Sequence, residues 1–110
     1  MLKYTENERI SRDLTGYLGE DEYIDEQIKK IGKRIFAKYY YEFKTLDSAV
    51  YECIEEDISE QSKIRRTRYA ISLIKSGFSE KALRSIASSE KVDRETAALA
   101  DSILTYEFHN

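Results

Sequence analysis

An all-α fold, a compact bundle of five to six helices in a single domain over residues 1–110, is what this sequence predicts. Three observations carry that expectation. There is no proline and there are only four glycines, so little interrupts helical backbone. The composition is rich in Lys, Glu, Ala, Ile and Leu, with 41% apolar and 35% charged residues, as in water-soluble helical domains. Apolar residues recur three and four positions apart along most of the chain, the period of one helix face. At this length a modest core forms without disulfides or metal.

Taken in order, Thr5 and Glu8 form a capping box ahead of Ile10, Leu14 and Leu18, which predicts a helix from Glu6 to Leu18 that stops at Gly19. Gly16 weakens its last turn. Asp21 is the expected N-cap of the next helix, among the acids Glu20 and Glu22 that suit a helix N-terminus. The central element is one long helix over Ile24–Phe43. Ile24, Ile28, Ile31 and Ile35 share a stripe that Phe36, Tyr39 and Phe43 widen. Lys30, Lys33, Arg34, Ala37, Lys38 and Tyr41 occupy its other, cationic side. Gly32 near its middle marks either a close approach by another helix or a kink.

Thr45 is the expected N-cap of a third helix, with Leu46, Val50, Ile54 and Ile58 spaced by four and Cys53 beside them as a small buried hydrophobe. Glu52, Glu55, Glu56, Asp57 and Glu60 line its opposite face. Ser59 or Ser62 caps a fourth helix, unless the two helices are continuous; its predicted inward stripe is Ile64, Thr67, Ile71 and Ile74, flanked by Ala70 and Leu73. Ser76-Gly77-Phe78 is a Schellman stop. Ser79 then caps a helix burying Ala82, Leu83, Ile86 and Ala87. Asp93 caps a last helix burying Ala97, Ala100, Ile103 and Leu104.

The net charge of −3 conceals strong segregation. Residues 1–26 carry 3 basic and 8 acidic side chains, residues 27–44 carry 6 and 1, and residues 45–62 carry 0 and 6. Residues 63–91 carry 8 and 2, and residues 92–110 carry 1 and 4. Two readings are open: antiparallel neighbours carry complementary faces that partly neutralise each other, or a dipolar surface orients a charged partner. The densest basic cluster is Lys63, Arg65, Arg66 and Arg68. A helix beginning at Lys63 would set these cations against its positive dipole end, which continuity with the preceding helix or an anionic partner would relieve.

No catalytic, metal or cofactor motif is present. Phosphate-cradling glycine loops and histidine-bearing zinc motifs are missing, and a di-iron bundle needs Glu-x-x-His, whereas the only histidine is His109. Cys53 is the only cysteine, which excludes an internal disulfide and a thiolate zinc site and fits a reducing, cytoplasmic compartment. The opening residues lack a signal-peptide apolar region, and no run of about 18 apolar residues suggests a membrane span.

The segment Ile86-Ala-Ser-Ser-Glu-Lys-Val-Asp-Arg-Glu-Thr-Ala97 resembles the helix-turn-helix of DNA-binding regulators over about residues 80–104. Ala87 stands at the small position, Val92 at the apolar position after the turn, and Asp93 at the recognition-helix cap. The resemblance implies a DNA-binding transcriptional regulator. It departs from the pattern at Glu90 and Lys91, and Arg94 is the one cation facing Asp93, Glu95 and Asp101, which suits phosphate poorly.

Nine tyrosines with no tryptophan exceed what a small core accommodates, and exposed tyrosine beside arginine is the composition of binding hot spots. The expectation is therefore a non-enzymatic, cytoplasmic interaction protein of immunity, antitoxin or inhibitor type, needing no cofactor and binding a protein. Nucleic acid is the second candidate partner, and no membrane role is expected. The residues expected to carry binding are Lys63, Arg65, Arg66, Arg68, Tyr41, Lys33, Arg34 and Lys38.

Overall fold

The computed structural model describes residues 10–108, with side chains from residue 19 onward, and over that span the backbone is helical without strands. The all-α expectation holds. The element order is α1 (Ile10–Ile31), α2 (Lys33–Lys38), α3 (Tyr40–Lys44), a 3₁₀ helix (Ser48–Cys53), α4 (Glu60–Lys75), α5 (Ser79–Ala87) and α6 (Arg94–Phe108). That is six α-helices and one 3₁₀ helix among the described residues, against five to six expected. The Thr5–Glu8 capping box lies outside them.

The long central helix is the main correction. Gly19 (φ 80°, ψ 159°) interrupts α1, and helix resumes directly after it, so Asp21 lies inside a helix and is not its cap. Gly32 (φ 98°) separates α1 from α2, and Tyr39 (φ −110°, ψ 21°) separates α2 from α3. The expected apolar stripe nevertheless stays inward across both breaks, from Ile24 to Phe43. Each break turns the chain, so Ala37 and Tyr40 are buried as well; Ala37 belongs to the core and not to the cationic side. Phe36 packs edge-on against Tyr40 at 5.8 Å and stacks on Phe43 at 6.4 Å, geometry that adds to burial.

No regular α-helix forms over 45–58. Leu46 adopts φ 65°, its amide bonding the Phe43 carbonyl at 2.9 Å to close the end of α3. Asp47, not Thr45, then caps the short 3₁₀ helix, its carboxylate accepting from the Ala49 amide at 2.9 Å. The helix unwinds after Cys53, which is exposed and not buried, and only Ile54 of the predicted stripe is fully buried. The buried Tyr39 hydroxyl fixes this extended stretch: it accepts from the Glu55 amide at 3.0 Å and donates to Glu56 at 2.8 Å.

Ser59 caps α4 by accepting from Ser62 N–H at 3.1 Å, so the third and fourth helical segments are not continuous. Thr67, Ala70 and Leu73 form the buried face of α4, while Ile64 and Ile71 are only half-buried. The predicted stripe was thus rotated; the small Ala70 lets α4 approach the core along that line. Its end is the Schellman arrangement, with Gly77 at φ 84° and amide bonds from Gly77 to Ile74 at 3.0 Å and from Phe78 to Leu73 at 3.2 Å. Phe78, not Ser79, occupies the N-cap position of α5, and Ser79 is buried in the first turn. Ala82, Leu83 and Ile86 of α5 face inward, and Thr96, Ala100 and Ile103 do so from α6. Asp93 caps α6 as expected, accepting from the Thr96 amide at 2.6 Å.

Candidate functional site

The eight residues singled out from sequence fall in three places. Lys33, Arg34 and Lys38 project from α2 towards acceptors of the same chain. Lys33 donates to Ser89 Oγ at 3.1 Å. Arg34 pairs with Asp93 at 3.3 Å and reaches Glu56 at 4.0 Å. Lys38 bonds Glu56 at 3.1 Å and lies 5.3 Å from the Tyr39 ring centroid. These contacts set the direction in which the groups' pKa values move. The hydrogen bond to Glu56 holds Lys38 above its ordinary value. Partial burial pushes the Glu56 carboxyl up, yet the bonds from Tyr39 and Lys38 outweigh it and leave it lowered. Asp93 is lowered first by the Thr96 amide and then by Arg34. A cavity of about 210 Å³ beside them is lined by Arg34, Lys38, Glu95, Thr96 and Leu99.

Tyr41 is elsewhere. It is 45% exposed, stands edge-on to Tyr40 at 5.3 Å, and has the Lys44 ammonium 5.9 Å from its ring centroid. Lys44 in turn pairs with Glu107 of α6. Desolvation chiefly raises the Tyr41 hydroxyl, and the Glu107 carboxylate adds to it; Tyr106 is 76% exposed.

Helix α4 divides the third group. Arg66 turns inward: its Nη1 donates to the Ile31 carbonyl at 3.0 Å and its Nε to Ser62 Oγ at 2.9 Å. It thereby satisfies one of the free carbonyls at the end of α1. Lys63 lies half-buried on the flank. Arg65 and Arg68 face outward. Together with Gln61, Ile64 and Tyr69 they line a concavity of about 550 Å³; the Lys30 ammonium lies 5.2 Å from the Tyr69 centroid. Arg68 also lines a second concavity of about 420 Å³ with Leu46, Ile71 and Lys75. The helix begins at Glu60 and Lys63 closes its first turn, so Arg65, Arg66 and Arg68 lie beyond that turn and escape the dipole conflict inferred from a start at Lys63.

Sequence reasoning missed Leu46, Ile71 and Lys75 as parts of this surface. Leucine in a left-handed conformation has no sequence signature, and helical periodicity places Ile71 on the inward stripe. Among the described residues, no three metal-ligating side chains converge, and no helix is long and apolar enough to cross a membrane. Comparison of the chain with protein-family models, curated proteins and solved structures gives no match.

Proposed function

We propose that this chain is a non-enzymatic, cytoplasmic interaction protein, a single helical-bundle domain that holds one macromolecular partner and inhibits or regulates it in the manner of an immunity protein or antitoxin. One observation supports this above the others. Among the described residues, Arg34, Lys38 and Lys44 spend their charge within the fold, on Glu56, Asp93 and Glu107, whereas Arg65 and Arg68 have no carboxylate within reach and border open concavities. Charge held in reserve on a rigid helix serves encounter rate and specificity with an acidic partner. Exposed Tyr41 and Tyr106 extend the surface available for contact.

The test is co-purification of the tagged chain from its own cell with and without nuclease. A stoichiometric protein that survives nuclease supports the proposal. Recovery of nucleic acid, together with retarded migration of a DNA duplex, favours the helix-turn-helix reading of residues 80–104 in its place. That alternative draws on the Asp93 cap opening α6 after the six residues 88–93.

A further inference from the structure

The outward face of α4 has a composition that neither the core nor the internal ion pairs use. Gln61, Arg65, Arg68, Ser72 and Lys75 recur at the spacing of a single helix stripe. Two concavities lie along it, one lined from Gln61 to Tyr69 and one reaching from Leu46 to Ser76, and Arg68 borders both. Lining the second is Leu46, the only non-glycine residue at positive φ among those described, and 46% exposed. Position 46 ends α3 where glycine is the unstrained choice. A leucine there holds a costly backbone conformation and presents a large apolar side chain beside half-buried Ile71.

From this the geometry points to a docking groove for an acidic amphipathic segment of a partner protein, its carboxylates on Arg65 and Arg68 and its apolar side chain seated between Leu46 and Ile71. The inference rests on the interaction reading above and specifies its surface and partner chemistry. Charge complementarity selects the occupant. Among the described residues no carboxylate lies within 4.0 Å of Arg65, Arg68 or Lys75, while Arg34, Lys38, Lys44, Lys81 and Arg84 each have one. Nucleic acid fits less well. The apolar seat between Leu46 and Ile71 has no phosphate to hold. An acidic helix laid along such a groove uses both of its features.

The probe is a fluorescein-labelled amphipathic peptide of about 18 residues, long enough to be helical, with glutamate on one face and leucine on the other. Controls are the same peptide with lysine for glutamate and a random-sequence DNA duplex. Fluorescence anisotropy at low salt should show binding of the acidic peptide alone. The double variant R65E/R68E should weaken it by roughly tenfold or more. Leu46→Gly should weaken it severalfold while melting no earlier than the wild type, because glycine takes φ 65° without strain. Equal binding by both variants, or binding of the duplex and not of the peptide, overturns the inference. A native partner that co-purifies undiminished with R65E/R68E overturns this groove and leaves the interaction reading standing. Absence of any co-purifying partner overturns that reading, and this inference with it.

Discussion

Arg66 occupies the space that a side chain on Gly32 would need. Its Nη1 lies 2.9 Å from where a Cβ at position 32 would stand, and the same nitrogen donates to the Ile31 carbonyl at 3.0 Å. The α1–α2 break and the inward turn of Arg66 are thus one arrangement.

Replacing Gly32 with alanine combines a disfavoured φ of 98° with displacement of the Arg66 head. A loss of about 1–3 kcal/mol is expected. At Gly77, also at positive φ, a Cβ meets nothing within 4 Å, so Gly77→Ala should cost only the conformational term, about 1 kcal/mol. Urea unfolding of G32A, R66A and the double variant forms a cycle. The two losses should be less than additive, and additive losses would show that Gly32 and Arg66 act independently.

The Tyr39 hydroxyl makes a similarly specific demand. Tyr39→Phe keeps the packed ring but leaves the Glu55 amide without its acceptor and removes the donor to Glu56 Oε1, leaving Lys38 on the other oxygen. The expected destabilisation is about 1–2 kcal/mol. An unchanged urea midpoint would mean that the hydroxyl contributes nothing net.

The acid limb of stability should report Glu56. Its carboxyl is lowered from the ordinary 4.5, and Asp93 is lowered from 3.8, so between the unfolded and folded values the unfolded chain binds more protons. Their contribution is complete above the ordinary values and fades as pH falls through the folded ones. Thermal melts of Glu56→Gln should therefore show lower stability at neutral pH and a shallower decline from about pH 5 to pH 3 than the wild type. Parallel declines would assign the acid response to other carboxyls.

Cys53 is exposed at the end of the 3₁₀ helix. A thiol-specific chromogenic reagent should modify it in the native protein at close to the rate of a free thiol, without loss of helical circular dichroism. Labelling that requires denaturant would return Cys53 to the core.

The inward face of residues 24–43 and the stop at Gly77 were legible in the sequence, whereas the bend at Tyr39 and the phase of α4 were not. The stripe from Ile24 to Phe43 is wholly buried because periodicity reports which side of a local turn is apolar. It does not report that Tyr39 bends the chain, since φ −110° is open to any residue. The four-residue spacing of Leu46, Val50, Ile54 and Ile58 satisfied a helical template, yet side-chain hydrogen bonds at Asp47 and Tyr39 lead the backbone elsewhere. For the candidate surface, composition identified the basic cluster of α4 but not its phase. Only with Ala70 and Leu73 set against the core does Arg66 turn in and Arg65 turn out.

The grip of Tyr39 on Glu55 and Glu56 joins residues 16 and 17 positions apart, and it couples a surface stretch to the interior in kinetic terms. Swinging residues 54–56 away from the body exposes Ile54 and breaks both bonds to a ring held in the core, so the acidic stretch has no inexpensive opening of its own. Its Glu55 amide should exchange with solvent deuterium on the schedule of the core helices, not that of a surface loop. The negative charge that follows α3 is, by that measure, as firmly placed as the helices around it.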